Sequence, residues 1–102
     1  MRSIDLQPDH LALVRQILWR YAPGLEVRAF GSRVTGTAKP MSDLDLCIMD
    51  AERLSSDAMD TLRAALSESV LPFKVDVVEW AALSGKFRAI IDKQFVVLQP
   101  VD

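Results

Sequence analysis

With 102 residues, half of them apolar, the chain has enough material for one hydrophobic core and too much for a disordered tail. Its formal charge of −2, with 12 basic and 14 acidic residues well mixed, leaves no basic stripe, so direct nucleic-acid binding is not expected. One cysteine, Cys47, and one histidine, His10, exclude an internal disulfide, a cysteine-built metal cluster and ready Ser-His-Asp chemistry.

Pro8 opens a helical pattern in which Leu11, Val14, Leu18 and Tyr21 recur at helix spacing and Pro23-Gly24 ends the run. Leu25 to Phe30 reads as a short strand, with Gly31-Ser32 as the turn out of it. Residues 32 to 38 form a short helix or loop that bends at Gly36 and closes at Pro40. A second strand runs from Asp43 to Met49, where Leu44, Leu46 and Ile48 point one way and Asp43, Asp45 and Cys47 the other. Ser55 or Ser56 caps the next helix, whose buried stripe is Met59, Leu62, Leu66 and Val70, and Pro72 bars its continuation. Lys74 to Trp80 is a third strand, with Val75 and Val77 opposing Asp76 and Val78. A last helix over about residues 82 to 92 turns Phe87, Ile90 and Ile91 inward and leaves Lys86, Arg88 and Lys93 to solvent. Phe95 to Leu98 closes the sheet.

The expected class is therefore α/β (α+β): a small mixed sheet flanked by helices. His10 and Trp19 call for no chemistry, His10 as a solvent-facing residue and Trp19 as a core or rim aromatic. Cys47 is expected to be packed rather than reactive. The chain begins without a signal-like apolar segment and has no run of membrane-spanning length, so the expected location is cytoplasmic.

The chemistry gathers at two motifs. Residues i and i+2 of a strand share a face, with Cα atoms roughly 6.5–7 Å apart. Asp43 and Asp45 can thus reach a common cation, and carboxylate, water and phosphate oxygens are what Mg²⁺ prefers. Two such ions, about 3.5–4 Å apart, would clamp the attacking and leaving oxygens of a phosphoryl transfer. Asp76, an acid among valines, is costly in a sheet unless paired or metal-bound, and completes the set as metal ligand and as candidate general base. Gly31 lets the backbone approach a phosphate, Ser32 adds a hydroxyl donor, and Arg33 is expected at phosphate or at a neighbouring acid. Ser42 is a candidate to orient Asp43.

Gly31-Ser32, ten intervening residues and Asp43-Leu44-Asp45, followed by Asp76, resembles the signature of the DNA polymerase β-like nucleotidyltransferase superfamily. The order of helices and strands matches along nearly the whole chain, and the likeness is greatest to its minimal nucleotidyltransferase (MNT) proteins. The resemblance implies the nucleotidyltransferase fold as a single domain over 1–102. It implies ATP as substrate, phosphate binding at Ser32, and Mg²⁺, as two ions, at Asp43, Asp45 and Asp76. It further implies an antitoxin that transfers AMP to a tyrosine of a partner ribonuclease of the HEPN class, hence a hetero-oligomer. The brevity of the chain favours an acceptor carried by another molecule. Two alternatives stay open: neutralisation by occlusion alone, and an enzyme acting on a small molecule or an RNA end.

Overall fold

Pro8 sits at the first turn of α1 (Pro8–Tyr21), where its missing N–H costs nothing. The structure, a computed structural model, describes residues 4–101. The extreme ends of the expected domain, 1–3 and 102, lie outside the described residues. Strand β1 (Val27–Phe30) leads through Gly31 into the single-turn α2 (Ser32–Thr35), and β2 (Leu44–Ile48) follows after a loop. Helix α3 (Ser56–Ser67) begins at Ser55, whose hydroxyl accepts the Ala58 N–H at 3.1 Å, and Asp57 lies in its electropositive first turn. Strand β3 (Val75–Glu79), a 3₁₀ turn over Trp80–Ala82, α4 (Gly85–Lys93) and β4 (Val96–Gln99) complete the chain.

The four strands form one mixed sheet in the order β3-β2-β1-β4. Strands β2 and β3 run parallel, joined through α3 as parallel neighbours require. Strand β1 is antiparallel to both β2 and β4. Helices α1 and α3 cover one face. There Val27, Ala29, Leu44, Leu46, Ile48, Val77 and Leu98 meet Val14, Leu18, Met59, Leu62 and Leu66, all buried. The alternation expected for β2 and β3 is the one observed, and it leaves Asp45, Cys47, Asp76 and Val78 on the opposite face.

Three packing expectations are corrected. Val70 is 86% exposed, because α3 stops at Ser67 and the Ser69 hydroxyl donates to the Leu66 carbonyl at 2.6 Å, turning the chain out of helical register. On α4 only Ile91 is buried, while Ile90 is 60% exposed. Consecutive helical residues stand about 100° apart, so the two isoleucines do not share a face. Phe87 lies between these extremes, edge-on to Phe30 at a centroid distance of 6.0 Å. Trp19 is 62% exposed and takes no part in the core. No helix among the described residues is long and apolar enough to cross a membrane.

Candidate active site

The open face of the sheet gathers the acidic motif. Asp45 of β2 and Asp76 of β3 are register partners in the parallel ladder, so the third carboxylate stands directly beside the second. Asp43 lies just before β2, two residues from Asp45 and on the same side by strand alternation. Asp43 and Asp76 are exposed and Asp45 is half-buried. The environment raises the Asp45 pKa, first through burial and then through repulsion from Asp76 and Asp43. Ionising all three is thus costly in the protein alone, and a divalent cation is what such a set of hard oxygen donors would attract.

Gly31 is built into this cluster. Its φ of +82° is a conformation that L side chains rarely adopt, and a Cβ there would overlap the Asp45 Oδ2 atom. The turn backbone therefore rests against the Asp45 carboxylate, which joins the phosphate-type turn and the carboxylates into one site. The Gly31 carbonyl accepts the Val34 and Thr35 amides at 2.9 and 3.0 Å, closing α2 behind it. Ser32, the first residue of α2, is half-buried. Gly36 ends the turn in the left-handed region at φ 89°, where a bend was expected.

Arg33 departs from its expected contact with phosphate or an acid. It is 5% exposed, and its guanidinium donates to the carbonyls of Ser42, Asp5 and Pro40 at 3.0, 2.9 and 3.0 Å while stacking over Phe73. Three neutral acceptors, one on each guanidinium nitrogen, and an aromatic face hold the planar fork in place. Arg33 thereby ties the 40–42 loop, which delivers Asp43, to the segment before α1. Ser42 serves the same loop: its hydroxyl accepts the Lys39 N–H at 2.8 Å. His10 is half-buried rather than solvent-facing, edge-on to Phe73 at 5.7 Å.

Cys47 is fully buried on the carboxylate side, and burial pushes its thiol up to about 11, so it is packing material at neutral pH. Sequence reading missed two charged residues that shape the surroundings. Arg88, expected in solvent, donates twice to the Trp80 carbonyl and stacks over its ring. Glu79 is buried, accepting the Leu54 N–H at 2.8 Å with Arg53 nearby at 3.6 Å. Its signal was the helix-facing position it occupies in the β3 alternation. Among the described residues no group of three or more His, Cys, Asp or Glu side chains is placed to hold a metal ion between them.

A family profile described as a nucleotidyltransferase domain matches residues 11–98. A probable protein adenylyltransferase, MntA of Haemophilus influenzae, is 49% identical over 97 residues, covering 95% of this chain and 85% of the relative. A crystal structure of a toxin-antitoxin with AMP-PNP superposes with a TM-score of 0.73 at 27% identity, over 87% of this chain and 72% of that one. A mutant form of the toxin-antitoxin MntA-HpeT gives a TM-score of 0.69 at 26% identity, over 92% and 72%. The aspartates beside a glycine turn, the mixed sheet and these matches agree: the chain belongs to the nucleotidyltransferase family, and to its minimal, MntA-like branch.

Proposed function

We propose that this nucleotidyltransferase is a Mg²⁺-dependent protein adenylyltransferase, which moves AMP from ATP to a tyrosine hydroxyl of a HEPN-class ribonuclease and so acts as its antitoxin. The observation that carries the chemistry is the contact of Gly31 with the Asp45 carboxylate, itself register-paired with Asp76. Support for the nucleotide and the partner comes from the relative named an adenylyltransferase and from the similar toxin-antitoxin solved with AMP-PNP.

Asp43 and Asp45 fit Mg²⁺ by donor type, with Asp76 completing the set. The ion, when bound, supplies charge neutralisation at the phosphates and a template for their orientation. The chain's own groups do the rest. The Val34 and Thr35 amides are already bonded to Gly31, so the donors left for the triphosphate are those at the start of α2, the Ser32 hydroxyl foremost. The tyrosine oxygen forms a bond to the α-phosphorus, the bond from that phosphorus to the α,β-bridging oxygen breaks, and pyrophosphate leaves. Asp76, exposed at the margin of the cluster, takes the hydroxyl proton. Positioning and charge stabilisation account for most of the acceleration in such a scheme.

The test mixes the purified protein with Mg²⁺, each nucleoside triphosphate and its HEPN partner, and locates any added nucleotide by mass spectrometry. AMP on a partner tyrosine is expected. A double variant D43N/D45N that still protects cells from the partner would move the role to occlusion. Modification of a small molecule or an RNA end, with the partner untouched, would overturn the protein-acceptor reading.

A further inference from the structure

One row of residues crosses three strands on the open face. Phe30, the last residue of β1, is the register partner of Asp45, and Asp45 is that of Asp76. Cross-strand partners share a face, with Cα atoms about 4.5–5.5 Å apart in an antiparallel pair, so the Phe30 side chain leaves the sheet beside that of Asp45. Phe87 of α4 meets the Phe30 ring edge-on, the centroids 6.0 Å apart and the planes at 90°. It is nevertheless 39% exposed, an aromatic surface left open next to a charged site. The pair is held firmly. Gln94, at the end of α4, donates to the Val34 carbonyl of α2 at 3.1 Å, which fastens the helix to the turn that begins at Gly31. Arg88, next to Phe87, donates to the Trp80 carbonyl at 3.0 and 2.8 Å, and Asp92 accepts from Arg28 of β1 at 3.1 Å. Ile91 of the same helix is fully buried. Phe87 is thereby fixed relative to both the phosphate-type turn and β1.

Resting on the transferase reading above, we propose that Phe30 and Phe87 form the seat of the nucleobase, with Phe87 offering its exposed aromatic surface to a purine. An α-phosphate held at Asp45 carries its nucleoside by a covalent bond. The base therefore lies within a ribose's reach of that carboxylate, and Phe30 is one strand away. The three groups on the reacting phosphorus then have separate places. Asp76, which takes the hydroxyl proton, stands on the far side of Asp45 from Phe30, so the attacking oxygen arrives away from the aromatic pair. In-line displacement sends the pyrophosphate opposite that oxygen, toward Ser32, where the chain runs past the end of β1 into α2. The nucleoside leaves the phosphorus off that line. Helix α4, which meets the open face through Phe30 and Arg28, brings Phe87 there. A phenyl ring has no donor or acceptor with which to read a base edge, so it selects by stacking strength, purine over pyrimidine.

The test measures binding to the full chain, with Mg²⁺, of ATP, CTP and inorganic tripolyphosphate, which has the phosphates and no base. Phe87→Ala is expected to weaken ATP about tenfold or more and to leave tripolyphosphate unchanged. In wild type ATP should bind more tightly than CTP, and the variant should narrow that gap. Equal loss for ATP and tripolyphosphate, no loss for either, or an ATP–CTP gap that the variant leaves unmoved would overturn the proposal. So would a variant that raises the KM for the partner and leaves that for ATP unmoved, because Phe87 would then touch the acceptor protein. Should the variant not fold, the wild-type Phe87 ring resonances decide: ATP should shift them and tripolyphosphate should not, and equal responses overturn the proposal. Ring shifts with ATP but no AMP transfer uphold the seat and fail the transferase reading. AMP transfer with no ATP-specific effect at Phe87 fails the seat alone.

Discussion

Leu44, Leu46 and Ile48 on one side of β2, and Asp45 and Cys47 on the other, come from a single five-residue strand, yet their environments differ sharply. The leucine side is sealed by α1 and α3 and holds most of the buried apolar area. The aspartate side is only partly covered, and there burial first, then repulsion from Asp76 and Asp43, raises the Asp45 pKa. One face makes the fold stable; the other concentrates charge that the fold alone does not neutralise. The difference teaches that stability and chemistry are separable here by strand parity.

The largest expected effect tests that separation. Asp45→Asn should reduce AMP transfer by about 10³-fold or more, as loss of a group acting on the reacting charges does. The folded structure, checked by circular dichroism, should be unchanged. On the opposite face Leu46→Ala should cost about 2–5 kcal/mol of stability in denaturant titration, because Leu46 is fully buried. Comparable unfolding by both substitutions would break the comparison.

Gly31→Ala joins the two effects. The positive φ and the overlap with Asp45 should cost about 1–3 kcal/mol and displace the carboxylate, so stability and transfer should fall together. Transfer at the wild-type level in that variant would remove Gly31 from the site.

A smaller effect sharpens the electrostatic half. The folded-state pKa of Asp45 is raised, so its contribution to stability is full at low pH and is lost as pH rises through that pKa. In metal-free solution Asp45→Asn should therefore raise the melting temperature at neutral pH. The gain should shrink on acidification and vanish near pH 4, where the unfolded carboxyl also becomes protonated. A gain independent of pH would mean that packing, not charge, is responsible. The smallest effect concerns Cys47, whose thiol at about 11 should resist alkylation at neutral pH until the protein unfolds.

Much of this was legible beforehand for a definite reason. Strand parity depends only on alternation, so it placed Asp43, Asp45 and Asp76 correctly relative to Leu44, Leu46 and Val77. Helix faces were harder. Val70 continues the spacing of Leu62 and Leu66, but a serine hydroxyl ends the helix first. Ile90 and Ile91 carry no local mark of which one meets the sheet. Arg33 shows a further difficulty: a long side chain next to a phosphate-type turn reaches either way. Its direction was decided by three carbonyls and Phe73, brought together only by the fold. The carboxylate cluster rests on register, whereas the buried arginine rests on contacts distant in sequence.

The central claim is that the open-face carboxylates direct attack at the α-phosphate of ATP. It is tested most directly by incubating the protein and its partner with ATP radiolabelled at either the α- or the γ-phosphate. Label from the α position should appear on the partner, in wild type and not in D43N/D45N, while the γ label leaves with pyrophosphate. Transfer of the γ label instead, or α-label transfer undiminished in the double variant, would contradict the account.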